Sequence, residues 1–296
     1  MSLRWGHVAA GAAAVAAALG LAIAVSTVGH SYQYVHPRRA RVTDRERQEA
    51  RARLPGLEDV ELQTRDGLVL RGWFAPGSRR DAVVLVHGLT DSRCQLLPEA
   101  EILSSHGHGV LLFDSRASGE SGGEVATWGD RERLDIAAAL DLLSARPDVD
   151  PKRLGAYGIS VGASAVALAA AQDARIQAVL LGPVWPSLEA ELGEKGGRFG
   201  RLSAALARLA FEAFGVDVAA VRPVDAIRAI PPRPLMLISG SADDDTPPAI
   251  MEVVHRAVPS ASWWLVPGAG HGHFGEAAPV EYPRRLAAFF DENLTH

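Results

Sequence analysis

Residues 153–165 read Arg153-Leu154-Gly155-Ala156-Tyr157-Gly158-Ile159-Ser160-Val161-Gly162-Ala163-Ser164-Ala165, and their character changes midway. The first half is a short apolar run of strand length. The second opens an alanine-rich stretch, residues 161–171, that is almost wholly apolar and favours a helix. Between them stands Gly158-x-Ser160-x-Gly162. In a sequence with 29 glycines that pattern alone says little. Its place between a strand and a helix gives it force. A sharp strand-to-helix turn needs glycines where side chains would clash, and it lifts the serine hydroxyl above the sheet, before the positive end of the helix. The competing reading is an ordinary Gly/Ser turn that caps a helix.

Working outward, the same strand-then-polar pattern recurs. Val60-Glu61-Leu62 and Leu68-Val69-Leu70 flank Asp66-Gly67, a hairpin signal. Apolar runs at Ala82–Val86, 110–113, Ile176–Leu181, 234–239 and 263–266 end at His87-Gly88, Asp114, Gly182-Pro183, Gly240 and Pro267-Gly268. Residues 131–143 place Leu134, Ala138 and Leu142 at helical spacing. Wholly apolar strands alternating with helices predict an α/β fold with a mostly parallel, doubly wound sheet covered on both faces. Ligands of such a sheet sit beyond the carboxyl ends of its strands, so the residues just after each run are those to inspect.

The N-terminus is of another kind. Residues 8–28 are uncharged, ten of them alanine. As a helix they span roughly 31 Å, close to the ~30 Å hydrocarbon core of a bilayer. Residues 1–28 are therefore expected to be a membrane anchor, the alternative being a signal peptide cleaved after Ala22-Ile23-Ala24. Arg38, Arg39, Arg41, Arg45 and Arg47 follow in 29–56, a basic linker or short helix. By the positive-inside rule they place the body in the cytoplasm, whereas cleavage would make it a secreted protein. Residues 1–53 hold eight arginines against Asp44, Glu46 and Glu49, while the rest carries 22 basic and 32 acidic groups. An acidic body excludes nucleic acid as partner, and a basic arm beside an apolar segment suits a membrane surface. Cys94, the one cysteine, forms no internal disulfide and reads as a buried thiol. No cofactor or metal is expected: His271-x-His273 and His106-x-His108 lack further ligands at suitable spacing.

A serine hydroxyl becomes a useful nucleophile when a base takes its proton and an acid holds that base. The run ending at Gly240 is followed by Asp243-Asp244-Asp245, and the last run by Gly270-His271-Gly272-His273. Both loops reach the edge of the sheet that carries Ser160. Of the two histidines His271 is the better base, with His273 its rival. The loop after Val86 would supply one backbone donor, the Leu89 N–H, and Val161 the other, to hold a developing oxyanion. The side chain of His87 reads as structural.

With these residues in hand the sequence resembles the α/β-hydrolase superfamily, in particular its small esterases, acyl hydrolases and prolyl-oligopeptidase-like proteins. The motifs are His87-Gly88, Asp114-x-Arg116-x-x-Gly119-x-Ser121-x-Gly123, Gly158-x-Ser160-x-Gly162, Gly240-x-x-Asp243 and Gly270-His271, and they cover residues 57–293. The resemblance implies a catalytic domain at 57–296 with a helical lid at about 185–232. It selects Asp243 as the triad acid and His271 as the base beside Ser160, with Asp114 and Arg116 structural. It implies hydrolysis of a carboxylic ester or related acyl bond of a small-molecule acyl substrate through an acyl-serine. A peptidase or thioesterase with the same triad is the alternative, and a non-catalytic membrane-anchored scaffold the remaining one. Ala117 departs from the family pattern, which has glycine there. Within 198–214, Phe199, Leu202, Leu206, Leu209 and Ala213 fall on one helical face, expected to line an acyl pocket or to pack on the core.

Overall fold

The computed structural model describes residues 2–196, 200–230 and 232–294. Two helices open the chain, α1 (Ser2–Val35) and α2 (Asp44–Arg53). Then come β1 (Glu58–Gln63), β2 (Val69–Ala75) and β3 (Ala82–Val86), a 3₁₀ turn (Arg93–Leu96), α3 (Leu97–Ser105), β4 (Gly109–Phe113) and α4 (Glu132–Ser144). The middle of the chain is β5 (Leu154–Gly158), α5 (Val161–Gln172) and β6 (Ile176–Leu181). An insertion of three helices follows: α6 (Leu188–Lys195), α7 (Arg201–Ala213) and α8 (Pro223–Arg228). The chain closes with β7 (Leu235–Gly240), α9 (Pro248–Ala257), β8 (Ser262–Val266), α10 (Phe274–Ala277) and α11 (Glu281–Asn293).

The strands form one eight-stranded sheet in the order β1-β2-β4-β3-β5-β6-β7-β8, in which only β2 runs against the others. Side chains alternate between two cores, as a pleated sheet covered on both sides requires. Val84, Val86, Ala156 and Leu181 meet α4, α5 and the insertion on one side. Val83, Leu85, Tyr157 and Leu180 meet α2, α3 and α11 on the other. Every apolar run expected to be a strand is one.

Two regions add detail. Helix α1 continues past the uncharged run to Val35, which is fully buried in the core, and residues 44–53 form the short helix α2, closed by a Thr43–Glu46 capping box. Residues 23, 27, 31 and 35, one face of α1, are progressively buried where α1 packs along α7. The second concerns α7. Its buried face is Ser203, Ala207, Ala210 and Phe211, while Leu202 and Leu209 are 70% and 61% exposed. Leu202 and Leu209 thus face away from the core while Leu206 between them is half-buried; Phe199 and Arg198 lie outside the described residues. The small side chains at 203 and 207 face the end of α6, where the Ser203 hydroxyl donates to the Gly196 carbonyl (2.6 Å) and Ala207 packs against Gly196.

Candidate active site

Ser160 follows β5 with φ 56° and ψ −121°, a conformation that costs a non-glycine residue energy and persists only where its surroundings enforce it. The surroundings are tight. A Cβ on Gly158 would stand 2.3 Å from the Gly162 carbonyl oxygen, and one on Gly162 2.3 Å from that of Val86. Both glycines are therefore needed for β5 to turn into α5 against β3. The turn leaves Ser160 half-buried at the N-terminus of α5.

The other two predicted residues meet. Asp243 Oδ2 lies 2.9 Å from His271 Nδ1, while Asp243 Oδ1 accepts the N–H groups of Asp245 (2.9 Å) and Thr246 (2.7 Å). The Asp243 carboxylate is wholly buried, and His271 keeps about a quarter of its side chain exposed. Asp244 and Asp245 are exposed, and His273 turns outward to Glu276. A neutral His271 that donates from Nδ1 leaves Nε2 free to accept a proton. The loop carrying His271 is seated beside the elbow: a Cβ on Gly272 would lie 3.6 Å from Ile159.

Among the described residues neither the Leu89 nor the Val161 N–H donates to a partner. The loop before Leu89 is held from both sides. Gly88 N–H donates to Gln95 Oε1 (2.7 Å), and His87 Nε2 accepts the Ser115 N–H (3.0 Å), so its proton sits on Nδ1, toward the Gly88 carbonyl at 2.7 Å. His87 is thus a buried brace between the β3 and β4 loops.

Asp114 accepts from the backbone of Arg93 and Glu120 and from the Arg93 guanidinium. Arg116 is clamped between Asp135 and Asp66, and its guanidinium holds Asp66 down to about 2. Both are structural. Ala117 takes φ 59°, the left-handed conformation glycine adopts freely. Burial pushes the Cys94 thiol up to about 11, which keeps it an inert neutral group.

Four residues around the site were missed. Gln95 gives no sequence signal at all. Glu191 and Lys195, on α6, pair at 3.0 Å, and Lys195 lies 3.7 Å from Asp245, two residues after Asp243. Burial raises the Glu191 carboxyl above the usual range. Trp128 sits just before α4 at φ 59°, and its neighbour Gly129 packs against Ser164 on the first turn of α5. The bulky Trp128 before a glycine in a loop was the one available hint.

At one edge of this mostly parallel sheet stand the elbow Ser160, the buried Asp243–His271 pair and, unpartnered among the described residues, the N–H groups of Leu89 and Val161. Residues 83–289 match the model of the "Alpha/beta hydrolase family", and the chain belongs to that family of hydrolases. It is 32% identical over 222 residues to "Uncharacterized protein Rv2307c" of Mycobacterium tuberculosis (strain ATCC 25618 / H37Rv), 74% of this chain and 73% of that one. It is 34% identical over 141 residues to "Thiohydrolase aneE" of Aspergillus aculeatus, covering 46% of this chain and 44% of that protein. The solved esterase Pf2001 of Pyrococcus furiosus superposes with a TM-score of 0.73 at 24% identity, over 88% of this chain and 98% of that one, a likeness of fold.

Proposed function

We propose that the protein is a membrane-tethered serine hydrolase acting on carboxylic esters. Ser160 Oγ attacks the substrate carbonyl as His271 Nε2 takes its proton, and Asp243 stabilises the resulting imidazolium. The carbonyl oxygen, now an oxyanion, accepts the Leu89 and Val161 N–H groups. His271 then gives the proton to the leaving alcohol, and an acyl-Ser160 ester remains. Water, deprotonated by His271, releases the acid and restores Ser160.

The observation that carries this reading is the 2.9 Å Asp243–His271 contact beside an elbow serine. The insertion α6–α8 is the lid, and α1 the anchor, since its Ala13–Val35 portion is long and apolar enough to cross a membrane. A thioester substrate is the second reading, favoured by the likeness to a thiohydrolase. A turnover comparison of matched esters and thioesters separates the two.

A fluorophosphonate probe tests the core of the proposal. It should label wild-type protein in the membrane fraction, and Ser160→Ala should take no label, with turnover down on the order of 10⁶. Labelling that survives in the mutant rejects the nucleophile. Labelled protein found only in the soluble fraction rejects the anchor.

A further inference from the structure

A cavity of about 230 Å³ lies between α1 and the insertion. Trp128, Leu192, Ala207 and Phe211 form its apolar wall, and Ser26 and Tyr34 belong to α1. Lys195, 3.7 Å from Asp245 in the loop that carries Asp243, closes it on the side of the Asp243–His271 pair, and Gly129, next to Trp128, packs on the first turn of α5. The cavity therefore borders the proposed active site, with the N-terminal helix as one of its walls.

Two features mark it as a ligand site. Trp128 is 93% buried by its 7% exposure, and its indole N–H has no partner among the described residues. A buried orphan donor loses its bond to water with nothing in exchange unless a ligand supplies an acceptor. The same residue holds a left-handed backbone that a bulky side chain rarely adopts. Strain and an unmet donor coincide in one cavity wall.

The geometry of α1 and α7 sets the level of the opening. Ala207 lines the cavity with Ser26, and Phe214 meets the rings of Tyr32 and His36 at 5.5 and 5.7 Å. Low numbers pair with low and high with high, so the helices run the same way. With equal rise per residue, Leu202 falls level with Ala22 and Leu206 with Ser26. Those α1 positions belong to the last turns of the uncharged run 8–28. Leu202 and Leu206 of α7 and the Ser26 end of the cavity therefore stand level with the last turns of that uncharged run.

We propose that this cavity takes the acyl chain of a bilayer amphiphile, which enters between α1 and α7 and presents its ester to Ser160, with Trp128 donating to an ester oxygen. The anchor is then part of the substrate site. This inference rests on the serine-hydrolase reading above.

The test uses the full chain in nanodiscs of phosphatidylcholine and phosphatidylglycerol, with 4-nitrophenyl laurate and acetate as substrates. Ala207→Phe and Ser26→Phe fill the cavity from opposite walls, the second outside the catalytic core. Each should lower the laurate-to-acetate ratio of kcat/KM at least tenfold, and Trp128→Phe should raise KM for laurate several-fold. A phosphatidylcholine with a diazirine on its acyl chain should cross-link wild type within residues 26–34 and 207–211. An unchanged ratio in both filled variants, with no cross-link in either segment, overturns the inference. Retained fluorophosphonate labelling in those variants shows that the hydrolase reading stands regardless. Labelling absent from wild type removes that reading instead.

Discussion

Asp243, Asp244 and Asp245 carry the same charge in unlike surroundings. Asp243 is buried with three hydrogen bonds, and its neighbours face solvent. Asp243→Asn should therefore lower kcat by about 10⁴, as loss of the acid costs a comparable triad. Asp244→Asn and Asp245→Asn should stay within a few-fold. An equal fall in all three, measured at matched folding, would remove Asp243 from its role. The three candidate residues were legible because each follows a strand, but choosing among three aspartates needed either the family spacing or the 2.9 Å contact itself. Ala117 shows the reverse: the sequence displayed a missing glycine, and its backbone angle lay beyond reading. A left-handed L-residue costs ~1–2 kcal/mol and glycine's extra entropy offsets ~0.5–1 of that. Ala117→Gly should thus stabilise the fold by up to about 1 kcal/mol in urea titration. A lower midpoint would show that the Ala117 methyl group, buried as it is, outweighs the strain.

At the scale of elements, the strands were readable since each is apolar throughout and ends in a polar or glycine residue. Helix α7 was readable as a helix and misread in its rotation. Its leucines make the stronger periodic stripe, but burial follows the small residues Ser203 and Ala207, because the partner is another helix at close range. Periodicity reports that a face is apolar; it carries no information on what covers it. The Ser203-x-x-x-Ala207 spacing was the signal that could have been used. Since Leu202 and Leu209 touch no core, Leu202→Ser and Leu209→Ser should each shift detergent-solubilised stability by no more than about 0.5 kcal/mol. Phe211→Ala, with Phe211 1% exposed, should cost ~3–5 kcal/mol. A reversed order in urea or thermal unfolding would put the leucine stripe back in the core.

On the scale of the whole molecule, the face of the sheet away from the insertion is tied together by one buried polar chain. Glu99 of α3 accepts the Tyr282 hydroxyl of α11 at 2.9 Å, and Tyr282 lies 3.1 Å from Tyr157 of β5, the strand that leads to Ser160. The other Glu99 oxygen is buried without a partner among the described residues, and no ion pair to a cation is formed. Burial therefore raises the Glu99 carboxyl above its ordinary range. The sign of the linkage follows from that direction. Between the ordinary carboxylate value and the raised native one, the native state holds a proton that the unfolded state has released. Stability then falls as pH rises, at a limiting slope of about 1.4 kcal/mol per pH unit, and levels off once Glu99 ionises in the native state. Glu99→Gln keeps an acceptor for Tyr282 and cannot ionise. The stability of wild type minus that of Glu99→Gln, from urea titrations between pH 4 and pH 8, should accordingly become less favourable to wild type as pH rises. Subtracting the two removes every other titrating group from the comparison. A difference flat across that range would mean that Glu99 enters the native core with its ordinary affinity for the proton, and one that grows in favour of wild type would require a cation the fold does not place there.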